Sequence, residues 1–202
     1  YPVAWILANL PARTANLLLI LVLLPFWTSL LVRTSAWKVM LQQQGVINDT
    51  LVWLGIVATD DRLALINNST GTVIAMTHIL LPFMILPIYA ALEKLDNSLL
   101  EAAEDLGCTR TRAFWLLTVP LSRPGIIAGC FLVFIPALGE FVIPSLLGGS
   151  ETLMIGKILW EEFFNNRDWP VASAVAVVLL AILIIPIILF QRNEQKQREA
   201  GK

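Results

Sequence analysis

Charge is what this sequence has least of. Only 14% of its 202 residues are Asp, Glu, Lys or Arg, whereas 57% are hydrophobic. A typical soluble domain carries about 25% charged residues, so the composition argues against a soluble protein. The apolar residues also stand in long runs, which predicts an all-α, polytopic membrane protein.

Residues that build metal sites and disulfides are scarce as well. The chain has two cysteines and one histidine, and Cys108 and Cys130 match no metal-ligand or disulfide spacing. The lone His78 cannot supply a metal site, and a hydrogen bond between helices is expected for it rather than a proton relay. No G-x-x-x-x-G-K-[ST] phosphate-binding loop occurs. The sequence therefore predicts no catalytic residue, no metal and no cofactor in this chain.

Nucleic acid is not an expected partner. The net charge is −1, and the 14 Lys and Arg residues are spread along the chain rather than gathered in one basic patch. The first residues, YPVAWILANLP, show neither an initiator methionine nor a basic region with a cleavage site. They resemble the end of a membrane helix, so the natural protein is expected to start further upstream.

Four apolar segments approach or exceed the roughly 20 residues needed to cross a bilayer. The first is expected to kink at Pro25, the second is irregular because of Pro82 and Pro87, and the third is interrupted at Gly139 and Glu140. All four belong to one predicted transmembrane domain. The predicted spans cover residues 14–33, 70–92, 125–147 and 170–190, within a domain of residues 1–190.

The distribution of Lys and Arg predicts the orientation. A polar insert (residues 93–124) lies between the second and third spans, and a charged tail (residues 191–202) follows the fourth. Nine of the 14 basic residues fall on the side of the insert and the tail, and five fall on the other side. The positive-inside rule therefore places the polar insert and the tail in the cytoplasm.

The polar insert has the local signals of two short helices. Ser98 and Glu101 fit the S-x-x-E capping box, so the first helix is predicted to begin at Ser98. Gly107 suits the left-handed conformation that ends a helix. Thr109 can cap a second helix, which should finish before Pro120. Local chemistry leaves a docking element and a plain connector equally open, and disfavours a DNA-binding helix-turn-helix because membrane spans flank the insert.

The spacing within the insert resembles the EAA signature of ABC-importer permeases. Glu101–Ala103 is followed by three residues, Gly107, nine residues and then Leu117–Pro120. The signature reads E-A-A, three residues, G, nine residues and I-x-L-P, so Leu117 and Val119 depart from it while staying apolar. The resemblance implies contact with a separate ATPase. The residues to which it gives this coupling role are Glu101, Ala102, Ala103, Gly107 and Pro120.

Other stretches resemble the polyamine branch of that family, closest to putrescine-system permeases. They are YPVAW at the start, FIPALGEFVIPSLLGG (134–149) and FFNNRDWPVASA (163–174). The resemblance implies an importer subunit of the bacterial inner membrane that carries putrescine, with spermidine or another small solute as the alternative. A non-transport assembly protein is less favoured. The implied partners are ATPase subunits that bind ATP and Mg²⁺, a second homologous permease, a periplasmic polyamine-binding protein and membrane lipid.

Glu140 is the acidic residue deep inside a predicted span. A charge at the bilayer centre costs about 2.5–3.5 kcal/mol on insertion scales, so such residues usually face a cavity or a partner. A carboxylate beside the transport route would suit a dicationic substrate. The alternatives are a structural pair with another helix and a wet position near the membrane surface.

Overall fold

The computed structural model describes residues 1–200, except for the side chains of Asn97, Leu189 and residues 192–200. No strand occurs in this part of the chain, so the all-α prediction is confirmed. Gly201 and Lys202, the end of the predicted tail, lie outside the described residues. The α-helices are α1 (Pro2–Ala8), α2 (Ala12–Leu23), α3 (Leu30–Met40), α4 (Val46–Trp53), α5 (Ser69–Glu93), α6 (Asn97–Asp105), α7 (Arg110–Ala113), α8 (Val119–Leu121), α9 (Arg123–Gly139), α10 (Val142–Leu147), α11 (Ile155–Trp160) and α12 (Trp169–Ala200).

Three tighter or wider turns join some of these helices. A 3₁₀ turn, Leu24–Trp27, follows α2. A π-helical turn, Phe114–Thr118, connects α7 to α8, and a second one, Glu161–Asn165, follows α11. Such turns change the direction or the register of a helix without ending its hydrogen-bonding.

The chain divides into two compact units, and the first contains residues 1–40 and 73–137. Its buried cluster joins Ala4 and Leu7 of α1 to Ile85, Ile88 and Leu92 of α5. The short helix α1 is therefore held by apolar contacts against the carboxyl-terminal half of α5.

Two buried glycines bring α9 close to α5 within this unit. A Cβ atom at Gly125 would stand 2.5 Å from the carbonyl oxygen of Pro87, and one at Gly129 would stand 2.7 Å from Sδ of Met84. Small residues four positions apart allow this approach of two helix backbones. Glycine at these positions is thus required by packing.

The first predicted span, residues 14–33, is broken rather than kinked. Pro25 begins the 3₁₀ turn, and the chain leaves helical geometry at Thr28, whose φ of −98° and ψ of 150° are extended. Oγ1 of Thr28 donates a hydrogen bond to the carbonyl oxygen of Pro25 over 2.7 Å. The axis then bends by 96° before α3.

The other long helices differ from prediction mainly at their ends. Helix α5 runs unbroken through Pro82 and Pro87. Helix α9 stops at Gly139, so the segment predicted as a span over 125–147 is divided at Glu140. Helix α12 starts at the predicted place but continues beyond residue 190, because its backbone stays helical to Ala200.

Length and composition identify helices that could cross a membrane. Within the described residues, Ser69–Glu93 and Trp169–Ile188 satisfy both criteria. The total rises from 2 to 4 if each of two bent pairs, Ala12–Trp27 with Leu30–Met40 and Arg110–Leu121 with Arg123–Gly139, forms one span.

The second unit contains Leu41–Thr72 and the chain from Leu138 onward. Leu41, Ile143 and Leu147 are fully buried in it, together with the polar Asn48. The Asn48 amide donates to the carbonyl oxygen of Leu63 and accepts from the Leu63 N–H, both over 3.0 Å. A buried amide paired in this way fixes the loop after α4, since unpaired polar groups are costly to bury.

The π-helical turn after α11 carries a stack of aromatic rings. Trp160 lies between Phe141 and Phe164, with ring centroids 4.0 Å and 4.1 Å away. Both faces of the indole are therefore occupied by other rings. The ring of Trp160 serves packing in this geometry and has no free face for a cation.

Candidate functional site

The first helix of the polar insert is capped by Asp96, not by Ser98. Oδ1 of Asp96 accepts a hydrogen bond from the Ser98 N–H over 2.9 Å, and α6 begins at Asn97. The prediction of a helix starting at Ser98 was wrong by one residue, because aspartate two positions earlier provides the capping oxygen. The backbone N–H of Ser98 lowers the pKa of Asp96 by stabilising its charged form. This leaves Glu101, which is exposed, without a capping role.

Gly107 ends this helix in the predicted left-handed conformation. Its φ is +83°. The Gly107 N–H donates to the carbonyl of Glu104, and the Cys108 N–H donates to that of Ala103, both over 2.9 Å. These two bonds form a Schellman motif, which needs a residue with positive φ at the position of Gly107. The prediction for Gly107 is confirmed.

The second helical segment starts after Thr109 as predicted, but it does not stop before Pro120. It continues through α7, the π-helical turn and α8 to Leu121. Proline lacks an N–H and its ring crowds the carbonyl four residues earlier. The wider π-helical turn over Phe114–Thr118 lies immediately before Pro120 and changes the spacing of those carbonyls. The axis bends by 61° between this segment and α9.

The insert is fastened to α1 by aromatic contacts and one hydrogen bond. The ring of Phe114 meets the rings of Tyr1 and Trp5 edge to face, with centroids 5.6 Å and 6.1 Å apart. The Tyr1 hydroxyl lies 2.8 Å from Oγ of Ser122, which is fully buried. A displacement of the insert would therefore be transmitted to α1 and to the start of α9.

A hollow of about 570 Å³ lies between the two helical segments and α1. Its walls combine apolar side chains with Glu101, Glu104 and Arg110. Nε of Arg110 is 3.0 Å from Oε1 of Glu104, and the Arg110 side chain is 91% exposed. An ion pair this exposed adds little to stability, so these charges are available to another surface.

Exposure of the EAA residues is compatible with contact. Glu101 and Ala102 are exposed, Ala103 is partly buried, and Gly107 and Pro120 are exposed. Leu106 is 89% exposed at the tip of the turn, although sequence periodicity places it in an inward-facing stripe. A large apolar side chain left in solvent beside a tight turn is typical of a contact residue. Its position directly before Gly107 is the signal that could have identified it.

Glu140 occupies the break between α9 and α10. Its Oε1 accepts the backbone N–H groups of Val142 and Ile143 over 2.8 Å and 3.2 Å. The carboxylate is only partly buried and caps the first turn of α10. A helix break with a carboxylate inside a predicted span is an arrangement that can serve structure and cation contact together.

His78 makes the helix-to-helix hydrogen bond that was expected. Nε1 of Trp37 donates to Nδ1 of His78 over 3.3 Å, and the two rings meet at a centroid distance of 5.2 Å. In the described part of the chain no three His, Cys, Asp or Glu residues are grouped to hold a metal ion.

Several apolar helices with an exposed helix–glycine–helix insert between them define a membrane permease component rather than an enzyme. A family model described as "Binding-protein-dependent transport system inner membrane component" matches residues 1–198. The chain belongs to this family.

Individual relatives agree with that assignment. The chain is 42% identical, over 192 residues, to the spermidine/putrescine transport system permease protein PotB of Escherichia coli strain K12, covering 95% of this chain and 69% of the relative. The corresponding protein of Haemophilus influenzae is 43% identical and is covered to 66%. The chain thus spans about two thirds of these relatives' length.

Solved structures share the fold at low sequence identity. A bacterial ABC transporter that imports the acidic polysaccharide alginate superposes with a TM-score of 0.69 at 18% identity, over 96% of this chain and 70% of that one. A bacterial alginate transporter in complex with a pentasaccharide-bound periplasmic protein gives 0.67 at 19% identity, over 93% and 67%.

Proposed function

We propose that this chain is a permease subunit of an ATP-driven importer that carries a polyamine across the bacterial inner membrane. The observation that carries the proposal is the 42% identity, over 95% of the chain, to a permease named for spermidine and putrescine. The chain has no phosphate-binding loop of its own, so ATP and Mg²⁺ belong to a partner ATPase. A second, homologous permease and a periplasmic polyamine-binding protein complete the proposed assembly.

The polar insert is the proposed ATPase contact, on the cytoplasmic side together with the carboxyl-terminal tail. Glu101 is free of any capping duty, Leu106 has no cover, and the Schellman turn at Gly107 holds the two helical segments at a fixed angle. Phe114 and Ser122 link this surface to α1 and α9. Ala102 and Ala103 allow close approach because their side chains are small, and Pro120 stiffens the segment that leads to the bend.

Putrescine is the proposed substrate, and spermidine or another small solute is the alternative. The relatives' name covers both polyamines, so the choice between them rests on the resemblance of the stretches 134–149 and 163–174 to putrescine-system permeases. A membrane assembly protein without transport activity would not need the spaced EAA pattern and is the less favoured alternative.

Uptake by the reconstituted complex tests this function. The full-length chain, its second permease and its ATPase in liposomes, supplied with the binding protein and ATP, should take up labelled putrescine. Excess spermidine should compete weakly. If spermidine is transported and putrescine is not, the substrate assignment is wrong, and ATP-independent or absent uptake of both defeats the importer proposal.

Glu140 is the proposed cation contact on the transport route. Glutamine keeps the carbonyl oxygen that caps α10 but removes the charge, so Glu140→Gln separates the two roles. Loss of one charge-assisted contact predicts uptake lower by roughly tenfold. Glu151→Gln, on the exposed loop before α11, is the matched control and should leave uptake unchanged. Normal uptake by an assembled Glu140→Gln complex contradicts the pathway role.

A further inference from the structure

A buried guanidinium nitrogen in the first unit has no hydrogen-bond partner. Nε of Arg33 is shielded from solvent, and no described atom accepts a hydrogen bond from it. The rest of the guanidinium lies over the Phe26 ring, 5.3 Å from its centroid. A buried donor without a partner costs about 1–3 kcal/mol, more when it is charged. An anionic acceptor from outside the described chain would remove that cost.

Arg33 borders a cavity whose other walls are almost wholly apolar. The cavity has a volume of about 290 Å³ and includes Pro25, Ile79, Pro82 and Ile85 among its walls. It lies where the 96° bend separates α3 from α2. A cation at one end of an apolar pocket suits a ligand with an anionic group and a hydrocarbon part.

His78 supplies a second polar group on the same cavity wall. Its Nδ1 accepts the hydrogen bond from Trp37, so in the neutral ring the proton resides on Nε2. Nε2–H is then a donor that the Trp37 contact does not use. Arg33 and His78 together offer donors to oxygen atoms of one anion, and phosphate oxygens are the acceptors that arginine binds best.

An adjoining apolar hollow extends the cavity along α2. It has a volume of about 300 Å³, shares Val3, Leu21 and Val22 with the first cavity, and has only apolar walls. A hydrocarbon chain could lie in it while the anionic group stays at Arg33. The shape and the chemistry therefore follow the order of a phospholipid, from headgroup to acyl chain.

We propose that the cavity at Arg33 and His78 binds the phosphate of an anionic membrane phospholipid, with an acyl chain along α2. Basic pockets between membrane helices are known to hold such headgroups. The proposal goes beyond transport: it is independent of the substrate and of the ATPase contact, and uptake experiments do not decide it.

Native mass spectrometry of the full-length chain, purified with its accompanying subunits, tests the site. After delipidation, phosphatidylglycerol or phosphatidylcholine is added back in detergent and the retained lipid is counted. The wild-type protein should retain phosphatidylglycerol in preference to phosphatidylcholine, and Arg33→Gln should reduce that retention by roughly tenfold. Lys38→Gln removes an exposed cation from the same helix α3 and should have no effect.

A second variant and a competitor keep the outcome decisive. Arg33→Lys preserves the charge and should retain more phosphatidylglycerol than Arg33→Gln, even if the glutamine variant assembles poorly. A large excess of inorganic phosphate should not displace the lipid, and displacement would show that free phosphate is the ligand. Equal lipid retention by wild type and Arg33→Gln overturns the proposal. So does a loss of thermal stability in Arg33→Gln without any loss of lipid, because a protein carboxylate would then be the partner.

Discussion

Two glycines hold left-handed backbone in open surroundings, and only one belongs to the EAA pattern. Gly55 has a φ of +71° and Gly107 a φ of +83°, and at neither position would a Cβ atom meet another atom within 4 Å. Alanine would therefore cause backbone strain at both sites without any clash. The pair separates the effect of strain from the effect of position.

Gly107→Ala should weaken ATPase binding, whereas Gly55→Ala should not. Each substitution forces a non-glycine residue into the left-handed region, at about 1–2 kcal/mol, so similar losses of thermal stability are expected. Straightening or fraying of the turn at residue 107 would displace Leu106 and Glu101 from the proposed contact. Co-purification of the ATPase and ATP-driven uptake measure this, and equal ATPase binding by both variants would contradict the coupling role of the turn.

Some of these residues could be identified from sequence and others could not. Gly107 was predictable because few residues tolerate positive φ and its spacing from a helix-forming stretch is diagnostic. The cap was misassigned because Asp96 and Ser98 are both good capping residues two positions apart. Only the backbone geometry decides between them. The burial of Ser122 under Tyr1 has no sequence signal, since the two residues are 121 positions apart.

At the scale of helices, the crossing of α5 and α9 depends on two glycines with different neighbours. At Gly125 an added Cβ would meet the Pro87 carbonyl oxygen at 2.5 Å, and backbone cannot yield easily. At Gly129 it would meet the Met84 sulfur at 2.7 Å, and a methionine side chain can change rotamer. The two sites lie one helical turn apart in the same helix.

Gly125→Ala should therefore destabilise the protein more than Gly129→Ala. Overpacking of this kind costs about 1–3 kcal/mol when the neighbours cannot move, and less where a flexible side chain can move away. Thermal unfolding of the purified protein in detergent, followed by the fraction that remains monodisperse, measures the order. A larger loss at Gly129 would show that Met84, and not the α5 backbone, limits the approach of the two helices.

Helix boundaries were the least predictable part of the fold. Pro25 suggested a kink, but the chain separates at Thr28, because Pro25 starts a 3₁₀ turn and not a bent α-helix. Pro120 suggested an end, but the preceding π-helical turn lets the helical path continue. Both outcomes depend on which carbonyls pair three, four or five residues along, a choice that apolar periodicity does not encode. Long apolar helices such as α5 were predicted well, since their composition alone defines them.

At the scale of the whole molecule, the proposed orientation rests on the distribution of basic residues. The insert and the tail carry the larger share of Lys and Arg, which the positive-inside rule assigns to the cytoplasm. The family assignment to inner-membrane components supports membrane insertion, and sidedness is a separate property that needs its own measurement.

Labelling of single cysteines should show the insert and the loop after α10 on opposite sides of the membrane. In a background with Cys108→Ser and Cys130→Ser, Arg112→Cys and Ser150→Cys place thiols at two exposed positions. A membrane-impermeant maleimide added to intact cells should label residue 150 and not residue 112, and cell lysis should expose both. Labelling of residue 112 in intact cells would reverse the predicted topology.

The prolines within the long helices have a consequence for the polarity of these helices. Each proline lacks the N–H that would occupy the carbonyl four residues before it. Pro82 and Pro87 in α5, Pro136 in α9 and Pro186 in α12 therefore leave the main-chain oxygens of His78, Phe83, Leu132 and Ile182 without their usual donors. Helices whose side chains are nearly all hydrocarbon thus contain acceptors in the peptide backbone itself. Water molecules or neighbouring hydroxyl groups are needed there, so these helices are points of hydration that a hydropathy profile does not reveal.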